Sequence, residues 1–297
     1  MLKTLKSFIA LKYSVFSFLF LGSFVFFLLS LYQKLDVLNY SFFKKLLFGT
    51  PILFFVRSFG IIINQIIDYD FDKKNPRTSN RTLPSKLLSI RVAYIYAVLN
   101  VIIFLIFSCY ISFRCFFESC LASLFIIVYP YTKRFHVCCH FVLGCIYLFA
   151  VIIVGEVLLS EFNLFCFVYA IIVGLFISAN DIIYSILDKE FDKQQSLFSF
   201  PSILGERASI LTVYFCYGIS FLLLIFLGFL SHFSMFYYVL LAFFFVTLIY
   251  LCMKLQATLN FSSKKFFSWE EAFFFSNVLI SLSLFSLFII LFISKLK

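Results

Sequence analysis

Asn64, Asp68 and Asp72 recur at every fourth position, and Asp181, Tyr184, Asp188 and Asp192 repeat a spacing of three and four further along. On a helix, residues four apart share a face and step along it by about 6 Å. Each set therefore presents a column of oxygen atoms, while Asp70 points elsewhere. An amide and carboxylates in a column are hard oxygen ligands of the kind Mg²⁺ takes, with its other positions left to water and phosphate. The chain has seven aspartates, and all but Asp36 fall in these two clusters. Carboxylates gathered at the ends of apolar helices repel one another and lose hydration, and cations are the usual remedy. Two metal-bearing helices facing each other would clamp a diphosphate. An ordinary polar helix end accounts for either cluster alone, but poorly for both in so acid-poor a chain.

A diphosphate needs more than metal to balance its charge, so nearby cations matter. Arg57 stands seven residues before Asn64, two turns back on the same face. An arginine at that depth should face a polar cavity; snorkelling to an interface is the alternative. Arg77 and Arg81 follow the first cluster, four apart and bracketed by Pro76 and Pro84. Tyr129 and Lys133 are again four apart, with Arg134 next, though anchoring at a basic membrane face explains Lys133 and Arg134 on charge alone. The run His136-Val-Cys-Cys-His140 is too crowded for a structural zinc site and reads as a helix start.

The elements that must position these residues are membrane helices. Of 297 residues, 63% are hydrophobic and 13% charged, which excludes a soluble domain. The net charge of +10 means basic loops facing anionic lipid, not nucleic acid. Nine cysteines scattered through apolar runs act as small hydrophobes and imply no disulfide framework. Runs of spanning length fall at about 13–32, 46–67, 92–112, 115–131, 137–157, 163–186, 210–230, 234–253 and 271–293. The fold predicted is all-α, a polytopic membrane protein of nine transmembrane helices forming one domain over residues 1–297. The first run, after Lys3, Lys6 and Lys12, lacks a small-residue cleavage site and is kept as a helix. With the N-terminus inside, seventeen of the 24 Lys and Arg fall inside and six outside. That asymmetry places the N-terminus in the cytoplasm. Both aspartate clusters then lie at the cytoplasmic face, each before a long loop, and the outer loop near Glu156 and Glu161 is acidic.

Asn64-x-x-x-Asp68-x-x-x-Asp72, followed by Asn75-Pro-Arg-Thr and Arg81-x-Leu-Pro-Ser, resembles the first motif of the UbiA superfamily of membrane prenyltransferases. Asp181-x-x-Tyr184-x-x-x-Asp188-x-x-x-Asp192 resembles its second motif, and Tyr129-x-x-x-Lys133 its middle one. Within the superfamily the Asn75-Pro-Arg-Thr extension and the Asp181-x-x-Tyr184-x-x-x-Asp188 form most resemble the 4-hydroxybenzoate polyprenyltransferase branch, with Gln65 and Lys86 departing from it. The resemblance implies a bundle around a central cavity in the inner membrane of a bacterium. It implies Mg²⁺ held by Asn64, Asp68, Asp72, Asp181, Asp188 and Asp192. It also implies an isoprenyl diphosphate and an aromatic acid bound by Arg57, Arg77, Arg81, Tyr129, Lys133, Arg134 and Tyr184. Asp68, Asp188, Asp192 and Arg57 would carry the chemistry, in the making of a respiratory quinone such as ubiquinone. A naphthoate acceptor of a menaquinone pathway keeps the same chemistry. A transporter is the rival of another class, but its acids belong near the bilayer midplane, whereas these sit at one face.

Overall fold

A long apolar segment in lipid must close every backbone N–H on a carbonyl of its own, which selects helices. In the computed structural model, which describes residues 14–32, 40–159, 163–260 and 268–295, the described residues form helices and no strand. In order they are α1 (Ser14–Tyr32), α2 (Tyr40–Ile67), the short α3 (Tyr69–Lys74), α4 (Ile90–Ile111), α5 (Phe113–Thr132), α6 (Cys139–Leu159) and α7 (Leu164–Ser185). A 3-10 turn (Ile186–Asp188) and the short α8 (Lys189–Gln194) lead to α9 (Phe200–Leu230), α10 (Met235–Asn260) and α11 (Trp269–Lys295).

Seven of these, α4 to α7 and α9 to α11, are long and apolar enough to cross a membrane. Of the nine expected spans these seven are met among the described residues, and α1 and α2 add the apolar stretches Phe16–Leu31 and Pro51–Ile67. Lys3, Lys6, Lys12, Lys34, Asp36, Glu161, Lys264, Lys265 and Lys297 lie outside the described residues.

The helices α2, α4, α5, α6, α7, α9, α10, α11 and α1 pack in that order, each against the next, and α7 also touches α11. As a result α7 is the most deeply buried span. Small residues let it sit there, since without a hydrophobic drive in lipid helices associate through close backbone approach. A Cβ on Gly144 of α6 would lie 2.0 Å from Ser178 Oγ and 2.6 Å from the Gly174 carbonyl oxygen, both on α7. Buried polar bonds fix its rotation. The hydroxyls of Ser23 and Tyr169 lie 2.6 Å apart, Asn180 donates to Asn277 at 3.1 Å, and Tyr217 donates to Asn180 at 3.3 Å. Such bonds in lipid average about 0.6 kcal/mol, so they orient α7 against α1, α11 and α9 more than they hold it.

Helix ends follow local chemistry. Ser112 closes α4 and caps α5 with its side chain, so this one residue is the whole connection between the two helices. At the far end of the bundle Arg114 then pairs with Glu156, 2.7 Å away at the end of α6. The start of α9 lies ten residues before the expected 210. Ser199 and Ser202 form a reciprocal capping box there, and Pro201 occupies the first turn, where its missing N–H costs nothing. Gly205, at φ 81 and ψ 171, then redirects the helix.

Candidate active site

The ends of α2, α5 and α7 and the starts of α6 and α9 meet at one face of the bundle, roofed by α3, α8 and their loops. They enclose a cavity of about 150 Å³. Asn64, Asp68, Asp72, Arg77, Arg81, Tyr129, Lys133, Asp181, Tyr184, Asp188 and Asp192 all line it. The two aspartate clusters, far apart in sequence, therefore face a common space. Helical geometry lapses at Asp68, with φ −89 and ψ 5. The ladder nonetheless runs on through Asp68 N to Asn64 O at 2.9 Å and Asp72 N to Asp68 O at 2.8 Å, so the column survives.

Each of four carboxylates meets a basic partner. Lys133 Nζ donates to Asp68 Oδ2 at 2.5 Å, and Arg81 Nη1 reaches both oxygens of Asp72, at 2.9 and 3.1 Å. Arg77 grips Asp188 by two nitrogens, Nε at 2.8 Å and Nη2, the paired fork geometry that makes such contacts strong. His140 Nδ1 lies 2.7 Å from Asp181 Oδ2. Arg77 also donates to the Tyr184 hydroxyl at 2.7 Å and lies over that ring, 4.7 Å from its centre. Burial pushes the Arg77 and Arg81 guanidiniums down, but their carboxylates and Tyr184 outweigh it and hold both above the ordinary arginine value.

Local sequence explains how the loop delivers Arg77. After α3, the Asn75 side chain accepts the N–H of Arg77 at 3.0 Å, a turn closed on its own backbone, and donates to Asp188 at 2.8 Å. Asn75 thus sets the arginine and touches the acid.

Two basic residues expected at the site stand off it. Arg57 does not line the cavity, and its Nε donates to Ser17 Oγ on α1 at 3.0 Å. Two turns of helix, about 10 Å of rise, separate it from Asn64 and carry it away from the mouth. Arg134 lies behind the lining, where Nη2 donates to the Ile67 carbonyl at the end of α2 at 3.0 Å. Its guanidinium stacks between Phe71, at 5.2 Å, and Tyr131, at 4.8 Å. The spacing of acids did not reveal His140, which reaches the cavity from the next helix.

The lining suits a divalent cation by charge and donor type. Five aspartates face Arg77, Arg81, Lys133 and His140, a surplus of negative charge even with the histidine counted as a cation. Asp68 Oδ1 is buried with no hydrogen-bond partner, a position in which an acceptor oxygen wants a cation or a donor. Among the described residues no three acidic, histidine or cysteine side chains converge as a ready-made shell. The paired acids lean toward their basic partners instead.

A model of the UbiA prenyltransferase family matches residues 19–279. The chain belongs to the UbiA prenyltransferase family. Among its UbiA relatives, the 4-hydroxybenzoate octaprenyltransferase of Francisella tularensis subsp. mediasiatica is 30% identical over 206 residues, covering 68% of this chain and 72% of the relative. The protein of that name from Blochmanniella pennsylvanica is 26% identical over 153 residues, 51% of this chain and 52% of its own length. The fold matches a UbiA homologue from Aeropyrum pernix K1 with a TM-score of 0.74 at 23% identity, over 94% of this chain and 98% of that one. A UbiA homologue from Archaeoglobus fulgidus, solved bound to GPP and Mg²⁺, matches with a TM-score of 0.64 at 15% identity, over 97% and 99% of the two chains. The resemblance carried by the aspartate columns and Tyr129-x-x-x-Lys133 is thus a family membership, and the chain is a membrane prenyltransferase.

Proposed function

We propose that this prenyltransferase moves a polyprenyl chain from its diphosphate to a ring carbon of a hydroxylated aromatic acid, 4-hydroxybenzoate, in respiratory quinone biosynthesis. The observation that carries the proposal is the convergence of both aspartate columns with Arg77, Arg81 and Lys133 on one cavity. The names of the Francisella and Blochmanniella relatives support the acceptor.

Asn64, Asp68, Asp188 and Asp192 are the proposed ligands of Mg²⁺, with Asp72 and Asp181 in support through water or hydrogen bonds. When bound, the ion neutralises diphosphate oxygens and so makes the group a better leaving group. Arg77, Arg81 and Lys133 hold the same charge from the protein side as the C–O bond breaks. Tyr184, bonded to Arg77 and 3.5 Å from Arg81 Nη2, keeps the two guanidiniums in register. The allylic cation is attacked by the ring carbon ortho to the phenol, and that carbon then loses its proton to a carboxylate or to the released diphosphate. Arg134 contributes by fixing Phe71 and the end of α2.

The prenyl tail lies among the helices toward lipid. All nine long helices cross the membrane in this reading, with the N-terminus and the cavity cytoplasmic in a bacterial inner membrane, as the bias of basic residues supports. Residues 1–297 act as one domain. Purified protein with radiolabelled geranyl diphosphate, Mg²⁺ and a panel of hydroxybenzoates and hydroxynaphthoates tests the function. Labelled prenyl-hydroxybenzoate is expected, and it should vanish with chelator. Product on the naphthoate alone would overturn the acceptor, and no product on any ring would overturn the reaction.

A further inference from the structure

Of the three histidines, His140 is the one that lines the cavity, and it is 4% exposed. Both of its ring nitrogens are engaged. Nε2 accepts the backbone N–H of Phe200 at 3.4 Å, so the proton resides on Nδ1 and is donated to Asp181 Oδ2 at 2.7 Å. Each contact has a structural cause. Gly144, one turn along α6, allows the close approach to Gly174 and Ser178 that brings residue 140 against residue 181. Phe200 opens α9, and the first N–H groups of a helix have no carbonyl of their own helix to use. His140 supplies the acceptor, with the Phe200 ring 6.0 Å from the imidazole.

We propose that His140 is a positioning residue for prenyl transfer. It keeps one Asp181 oxygen on the imidazole, leaves the other for the cavity, and ties that orientation to the start of α9. This rests on the proposal that Asp181 supports the diphosphate half of the site. A residue that merely packed helices together would act on stability alone, whereas His140 acts through Asp181.

The test uses the full chain in detergent and four variants: His140→Gln, His140→Leu, Asp181→Asn and the double variant His140→Leu with Asp181→Asn. One glutamine amide offers an N–H donor and a carbonyl acceptor, so it can serve both partners of the histidine. His140→Gln is expected to stay within about threefold of wild-type kcat/KM. His140→Leu is expected to lose about tenfold or more, chiefly in kcat, with a matching loss in calorimetric binding of geranyl diphosphate in the presence of Mg²⁺. Asp181→Asn should fall at least as far, and the double variant no further than Asp181→Asn alone, because both act through one group.

Wild-type kinetics and binding in His140→Leu, with Asp181→Asn impaired, would overturn the role of His140 and leave that of Asp181 intact. Wild-type behaviour in Asp181→Asn would overturn the role given to Asp181, and the His140 proposal with it. An additive double variant would show that His140 acts elsewhere and would also overturn the proposal. Should His140→Leu not fold, His140→Phe decides: it keeps a ring against Phe200 but offers Asp181 no donor, so it should fall well below His140→Gln, and equal activity of the two refutes positioning.

Discussion

Gly144→Ala adds one methyl group at the contact on which the registry of α6 and α7 depends. The new carbon would stand 2.0 Å from Ser178 Oγ and 2.6 Å from the Gly174 carbonyl oxygen. Ser178 can turn away, at the loss of its 2.9 Å bond to that carbonyl. The carbonyl cannot, because it belongs to the backbone of the most buried helix. A tolerable carbon–oxygen contact is about 3.3 Å, so the helices must part by roughly 0.7 Å. Passed to the next turn, that displacement stretches the 2.7 Å bond between His140 and Asp181 to about 3.4 Å, beyond a good hydrogen bond. Overpacking of this kind costs about 1–3 kcal/mol, equivalent to a Tm lower by about 4–8 °C at the middle of that range. Activity should fall by about tenfold as well. Gly218→Ala is the control, since nothing lies within 4 Å of its added methyl and a helical alanine gains up to about 1 kcal/mol over glycine. Thermal unfolding and prenyl-transfer rates of both variants in one detergent make the comparison. A Gly144→Ala protein as stable and active as wild type, or a Gly218→Ala protein that falls equally far, would refute the close-approach explanation.

Asp68→Ala or Asp188→Ala should abolish turnover while the protein still inserts and elutes as a folded species; retained turnover in either would remove that acid from the site. Arg57→Lys should stay within about threefold of wild-type kcat/KM, because the guanidinium bonds Ser17 and does not line the cavity. A loss of tenfold or more would return the guanidinium to the substrate. Gly205→Ala should cost about 1–3 kcal/mol by thermal melting although open space surrounds the position, because φ 81 with ψ 171 is a region essentially confined to glycine. In a background without native cysteines, a cysteine at exposed Asn80 should react with an impermeant maleimide only from the cytoplasmic side, and one at exposed Ser234 only from the other. The reverse pattern overturns the orientation.

What was legible in the sequence was what periodicity encodes. The aspartate columns could be read because helical spacing is local, and it survives even where α2 gives way to α3 at Asp68. Span ends came within a few residues for α4 to α7, where apolar runs stop at polar caps such as Ser112 and Asn163. The first ten residues of α9 were missed because Pro201, Gly205, Glu206 and Arg207 read as loop, although proline in a first turn is at home in a helix. Contacts between distant residues have no such signature. Spacing placed Arg57 on the face of Asn64, but nothing in it could show that its Nε would donate to Ser17 of α1. His140 looked like a helix start because its meaning comes from Asp181, 41 residues away, and that meeting is decided by two glycines.

The packing of α1 against α11 has a consequence for biogenesis. Ser30 Oγ donates to the Phe288 carbonyl at 3.4 Å, the rings of Phe27 and Phe288 lie 5.3 Å apart, and Lys295 donates to the Ser30 carbonyl at 2.8 Å. About 240 residues separate the end of α1 at Tyr32 from the start of α11 at Trp269. At a translation rate of about 5–20 residues per second, α1 waits roughly 10–50 s for its main neighbour to leave the ribosome. During that wait the Ser30 hydroxyl is without its Phe288 carbonyl, and the face of α1 that α11 will cover meets lipid, a chaperone or the insertion machinery. A ribosome stalled before Trp269 would therefore release a chain whose aspartate columns are both made but whose oldest helix is still loose, a natural substrate for membrane proteases.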